Sequence, residues 1–180
     1  VVKDLSTVFY SNVQVEVVTI HDPEGLEIIR HDTAHILAQA IKEIYPKAKI
    51  SIGPTIKDGF YYDIFLEHSL SVDDFPLLEK KMWEIIKRQD EFVREIKSKE
   101  EAIKYFTSIG EDYKVEIIND LPQNEDIVLY KQGEFQDLCR GPHAPSTKFI
   151  KAFKLMKLSG AYWKGDSNNI MLQRLYGTAW

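Results

Sequence analysis

An α+β fold, with helices packed on a largely antiparallel sheet, is what this sequence predicts. Two features of its patterning carry the expectation. Helical and strand periodicities are interspersed without a regular strand–helix–strand rhythm. Several neighbouring strand candidates are joined by short turn signals of the kind that make hairpins. With 180 residues, 44% of them hydrophobic, the chain is long and apolar enough to bury one substantial core.

The elements follow in chain order. Val13 to Ile20 alternates and is rich in β-branched residues, which predicts a strand. Asp22-Pro23 supplies an N-cap and a first-turn proline. Leu26, Ile29, Thr33, Leu37, Ala40, Ile41 and Ile44 then recur at helical spacing as far as Pro46. Residues 50–53 and 60–66 read as two strands joined near Asp58-Gly59. Ser71, with Asp74 as capping partner, opens a second helix through Leu78, Met82 and Ile86 to about Gln89. Residues 92–97 predict a short strand, and Ser98 with Glu101 forms a capping box for a helix through Phe106. Residues 113–118 fit a helix, with a strand as the alternative. A strand over 127–130, a turn at Gly133 and a loop over 137–145 come next. Two final strands, 153–163 and 170–176, turn at Asp166-Ser167-Asn168-Asn169.

Composition narrows the function classes. No apolar run approaches the roughly 18–20 residues of a membrane span, and the first residues lack a signal-peptide pattern. One cysteine cannot close an internal disulfide, so a reducing, cytoplasmic setting is expected. Val1 and the apolar stretch ending in Trp180 suggest a piece of a longer chain. The net charge of −5 argues against a general nucleic-acid binder. Yet residues 148–180 hold six bases, Lys148, Lys151, Lys154, Lys157, Lys164 and Arg174, against the single acid Asp166. Such a strip either contacts phosphates or is a solvated face.

The residues with chemistry fall into two pairs. His31 and His35 lie four apart on the first long helix, so both project from one face. At about 100° per residue that face lies opposite the apolar stripe, which places the pair off the core. Cys139 and His143 are also four apart, but Gly141 and Pro142 between them make that segment a loop. Imidazoles and a thiol are the side chains that bind zinc or move protons near neutral pH. A metal or hydrolytic site built from a helix and a distant loop is the expectation.

The runs GLEIIRHDTAH, IGPTIKDGFYYDI, DYKVEI, DLCRGPH, FKLMKLSGAYWKGDSNN and MLQRLYGTAW occur in this order. Together they resemble the editing domains of threonyl-tRNA synthetases, part of the second additional domain family shared with alanyl-tRNA synthetases. The resemblance covers about residues 25–180; residues 1–24 look like the tail of a small β-grasp (TGS-like) domain. It implies hydrolysis of serine wrongly esterified to threonine tRNA, whose acceptor end is the implied partner. The full-length, ATP-using ligase it implies is a cytoplasmic homodimer whose aminoacylation site lies outside these runs. Positions matching the family's catalytic ones are His31, His35, Lys114, Cys139 and His143, with Tyr62 and Asp137 lining the substrate site. Asp137 would hold the substrate ammonium or orient a histidine. Asp32, where the family often has serine, is expected to face away from the histidine pair. The resemblance implies no required cofactor. His31, His35, Cys139 and His143 are the ligand candidates should zinc bind. Two other readings stay open: a zinc-dependent hydrolase of the alanyl-editing kind, and a non-catalytic tRNA-binding module.

Overall fold

The computed structural model describes residues 1–123 and 125–180, and its architecture is α+β with antiparallel sheets. The elements run α1 (Pro23–Ile44), β1 (Lys49–Ile50), β2 (Thr55–Ile56), β3 (Gly59–Phe65), α2 (Phe75–Arg88), β4 (Phe92–Lys97), α3 (Lys99–Ser108), α4 (Asp112–Asp120), β5 (Ile127–Gln132), β6 (Phe135–Leu138), β7 (Phe153–Tyr162) and β8 (Met171–Ala179). The larger sheet has the order β1-β3-β8-β7, with β2 also pairing β3; the smaller has the order β4-β5-β6. Among the described residues no helix is long and apolar enough to cross a membrane.

Two apolar clusters divide the chain. Ile36, Leu37 and Ile41 of α1 pack with Phe60 and Ile64 of β3, Leu78 and Met82 of α2, and Leu155 and Leu175 of the long hairpin. Phe106 of α3, Ile118 of α4, and Ile127 and Leu129 of β5 form the second cluster on the small sheet. Asp63 of β3 accepts two bonds from Arg174 of β8, at 2.6 and 2.7 Å, and fixes that central pairing from the outer side.

Local chemistry explains most boundaries. Pro23 opens α1, and Ser71 and Ser98 each form a full capping box. The Ser71 box caps a 3₁₀ turn over Val72–Asp74 that leads into α2. Gln89, in the left-handed region, ends α2, and Gly133 at φ 55° makes the tight turn from β5 to β6. Residues 113–118 take the helical alternative, inside α4.

Several expectations fail. Residues 13–20 form no strand; Val13, Val15 and Val17 are exposed and lie outside any regular element, because an alternating segment becomes a strand only beside a partner. The strand read at 50–53 is only Lys49–Ile50, and a separate short strand, Thr55–Ile56, also pairs with β3. The loop read from 137 begins later, since Phe135–Leu138 pairs with β5 and puts Asp137 on a strand. In the basic strip, Lys154 pairs with Glu79, Lys164 with Glu116 and Asp120, and Arg174 with Asp63. Half of its bases are thus engaged within the fold.

Burial ranks the consequences of truncation. Leu37 is fully buried and Ile96 is 55% exposed. Leu37→Ala is expected to cost about 2–5 kcal/mol, and Ile96→Ala under about 0.5 kcal/mol. Urea unfolding checks this; similar losses for both would mean α1 does not form the core.

Candidate functional site

The two histidine-containing pairs meet. The sulfur of Cys139 lies 2.9 Å from His31 Nε2 and 3.3 Å from His143 Nε2, and accepts the Gly141 N–H at 3.2 Å. The three imidazole rings sit 4.5–4.9 Å apart, centre to centre. Helix α1 aims His31 and His35 from successive turns, and the loop after β6 brings Cys139 and His143 down onto them.

The pair was expected to lie off the core, and that is wrong for His35. It does lie opposite the apolar stripe, but the loop of Cys139 and His143 covers that face. His35 is 2% exposed and every residue from Asp32 to Ile41 is buried. Helical periodicity identifies one buried face; it cannot report that a distant segment covers the other.

Asp32 overturns a second expectation. Its carboxylate does not face away: Oδ1 lies 2.8 Å from His143 Nδ1, and Oδ2 accepts the Ala144 N–H at 3.2 Å. The carboxyl expected to face away therefore orients a histidine, the role considered for Asp137. Tyr130 and Phe92 pack their rings on His143 at 4.2 and 4.8 Å. Asp4 accepts the His143 backbone N–H at 3.0 Å and the Tyr130 hydroxyl at 2.5 Å. None of these four was legible, since no spacing connects Asp4, Asp32, Phe92 or Tyr130 with residue 143.

Asp137 instead belongs to a second buried group. Its Oδ1 is 2.5 Å from Lys114 Nζ and accepts the Leu138 N–H at 2.7 Å; its Oδ2 accepts the Tyr62 hydroxyl at 2.5 Å. Lys114 also donates to the Tyr62 oxygen at 3.2 Å. Lys114, Asp137 and Tyr62 are each at most 2% exposed, yet they come from α4, β6 and β3. A buried ammonium persists because a carboxylate matches it. The two groups feel one another: Lys114 and Asp137 both act electrostatically on Cys139.

Burial governs the protonation of the first group. It pulls His31 down to about 4, helped by the charge of His143, and pulls His143 down to about 4. It raises Asp32 to about 8 and the Cys139 thiol to about 12. Near neutral pH the cluster therefore offers uncharged imidazoles and a protonated thiol.

This donor set also fits a metal ion. One atom from each of His31, His35, Cys139 and His143 lies within 4.8 Å of the others. Tetrahedral zinc, with bonds of about 2.0–2.3 Å, spaces its ligand atoms about 3.3–3.8 Å apart. His35 Nδ1 is buried without a hydrogen-bond partner, and Asp32 braces His143 as a carboxylate braces a metal-bound imidazole.

Comparison with known proteins places this geometry in context. Residues 127–176, spanning β5 to most of β8, match the family described as threonyl and alanyl tRNA synthetase second additional domain. The chain is similar to a threonine–tRNA ligase of Ehrlichia chaffeensis (strain ATCC CRL-10679 / Arkansas), 64% identical over 177 residues. Threonine–tRNA ligases of Ehrlichia canis (strain Jake) and of Wolbachia sp. subsp. Brugia malayi (strain TRS) are 63% and 56% identical over the same length. Each alignment covers 98% of this chain and 28% of the relative. The chain thus spans little more than a quarter of the length of the curated relatives it matches.

The lowered histidines have a sign that can be measured. Between their ordinary value near 6.5 and about 4, the unfolded chain binds protons that the folded one refuses. Their stabilising contribution is present above 6.5 and is lost as pH falls through that window. Asp32, raised from an ordinary 3.8 to about 8, works oppositely: its contribution is present below 3.8 and is lost as pH rises from there to 8. Metal-free His31→Asn is therefore expected to show a shallower fall in melting temperature from pH 6.5 to 4 than the parent chain. An unchanged slope would show that His31 titrates normally.

Proposed function

We propose, from the match of residues 127–176 to the threonyl and alanyl tRNA synthetase second additional domain family, that this chain hydrolyses serine esterified to the 3′-terminal adenosine of threonine tRNA. The observation that carries this reading is the buried Lys114–Asp137–Tyr62 group beside the cluster of His31, His35, Cys139 and His143. Residues 25–180 are the editing unit in this reading, and residues 1–24 the end of a neighbouring β-grasp domain. The names of the curated relatives favour it over the alanyl-type alternative. The longer protein is then a threonine–tRNA ligase, with tRNA as partner of both activities.

Ester hydrolysis needs a base for water and a positive partner for the oxygen that gains charge. His31 or His143, uncharged at neutral pH, takes a proton as the water oxygen attacks the carbonyl carbon. The resulting oxyanion is stabilised by the Lys114 ammonium, with Tyr62 as a neighbouring hydroxyl. The bond to the 3′-oxygen then breaks and the proton passes to that oxygen, leaving free serine and a tRNA 3′-hydroxyl. Burial keeps Cys139 a thiol, which suits a wall of the pocket better than a nucleophile. Serine lacks the methyl of threonine, and a pocket closed at that point rejects the larger side chain. Mere accommodation of a methyl would separate the two by only about 1–3 kcal/mol.

The proposed reaction needs no metal. Zinc held by three of these side chains, with its fourth position open, would supply a Lewis acid and an activated water, whereas held by all four it would be a closed structural site. Coordination by Cys139 must in either case displace the thiol proton that burial stabilises.

The purified chain is expected to release serine from seryl-tRNA for threonine and to spare threonyl-tRNA, with the rate unchanged by a chelator. Equal rates on both esters would remove the specificity. Stoichiometric zinc in the purified chain, removed together with the activity and restoring it when added back, would make the reaction metal-dependent. His143→Ala is expected to slow hydrolysis by about 10²–10⁴-fold, the usual contribution of acid–base catalysis. A near-normal rate in that variant would assign the proton transfer elsewhere.

A further inference from the structure

Lys114 reaches its partners from α4, a helix of only nine residues whose N-cap side chain makes no capping bond. A helix this short is marginal by itself, so something outside it must hold its first turn. The N-cap residue is Glu111, a carboxylate only 1% exposed that the chemistry above does not use. Its Oε1 accepts from Lys42 Nζ at 2.5 Å, and its Oε2 accepts the Ile50 N–H at 2.9 Å. Its backbone carbonyl accepts the N–H of Lys114 at 3.0 Å and of Val115 at 3.2 Å. Lys42 in turn donates to the Ala48 carbonyl at 2.7 Å.

We propose that Glu111 is a positioning residue for Lys114. Its side chain clamps the first turn of α4 to β1 and to the C-terminal end of α1, and so sets where the Lys114 ammonium stands. Lys42 lies on the helix that carries His31 and His35, seven residues beyond His35, about 10 Å along the axis. One half-buried ion pair, closed on the Glu111 side, thus holds the helix of the histidines and the helix of the lysine at a fixed separation. A lysine stem is long and flexible, so the ammonium is placed only as well as its Cα is. The surface pair of Lys49 with Asp112 touches the same turn, but both side chains are exposed and such a pair contributes little.

The role of Lys114 at the ester rests on the reading proposed above; the clamp itself is tested without it. In the 180-residue chain, Glu111→Gln is expected to raise the reactivity of the Lys114 amine toward an acylating reagent, read by mass spectrometry, while the exposed Lys80 and Lys104 stay as in the parent. On seryl-tRNA the same variant is expected to lose about 10- to 100-fold in kcat with little change in KM, as for a misplacement of about 1 Å. Glu111→Asp recovers part of the rate, Lys49→Ala keeps all of it, and Glu111→Gln/Lys114→Gln is no slower than Lys114→Gln alone. Unchanged Lys114 labelling in Glu111→Gln, or additive losses in the double variant, would overturn the proposal. If Glu111→Gln does not fold, Lys42→Gln is read in the same way, since it removes the other half of the clamp. A parent chain inactive on both esters would sink the editing reading, and the labelling would still decide the clamp.

Discussion

Helix α1 has no dry side to spare and no wet side to use. The larger sheet and α2 cover one face, the loop of Cys139 and His143 covers the other, and residues 32–41 lie out of water. Every polar side chain on that stretch must find a partner inside the protein or remain at a cost. Thr33 donates back to the Ile29 carbonyl, Asp32 meets His143 and Ala144, and Gln39 meets Gln132 of β5. Among the described residues His35 Nδ1 has no such partner, and burial holds its imidazole well below the ordinary range, so it stays uncharged with a ring nitrogen free to meet a ligand.

The same enclosure decides the electrostatics. Burial removes charge from the histidines, from Asp32 and from Cys139, so the cluster near α1 is a set of neutral donors and acceptors. The Lys114–Asp137 group takes the opposite solution, keeping two charges and pairing them tightly. Two groups of contrasting polarity, side by side and shielded from solvent, provide a neutral base on one side and a fixed positive centre on the other. In water neither the base nor the ammonium would hold its place or its strength.

Distant parts of the chain share the work of positioning. The small sheet delivers Asp137 and the Cys139 loop, β3 delivers Tyr62, and α4 delivers Lys114. Glu111 and Lys42 tie α4 back to α1 at the far end of the histidine helix. Tyr130 and Phe92, from adjacent strands of the small sheet, press on the His143 ring and hold the loop against α1. The two apolar clusters therefore act as platforms whose junction is the site, and rigidity at that junction depends on polar contacts as much as on packing.

Local signals were written plainly. Pro23, the Ser71 and Ser98 capping boxes and the helical stripe from Leu26 to Ile44 each arise from contacts within a few residues, and the final hairpin from two neighbouring strands joined by one turn. The spacing of His31 with His35 and of Cys139 with His143 also marked the chemistry, because those residue types are scarce and their spacing is local. Resemblance of ordered runs added Tyr62, Lys114 and Asp137, which no periodicity would have singled out. Tertiary structure alone decided the rest. It buried the outer face of α1, turned Asp32 toward His143, placed Asp4, Phe92 and Tyr130 around that ring, and left residues 13–20 without a strand. The physical reason is one of range: propensity, capping and periodicity are settled within a turn or a strand pair, whereas burial depends on which distant segment arrives to exclude water.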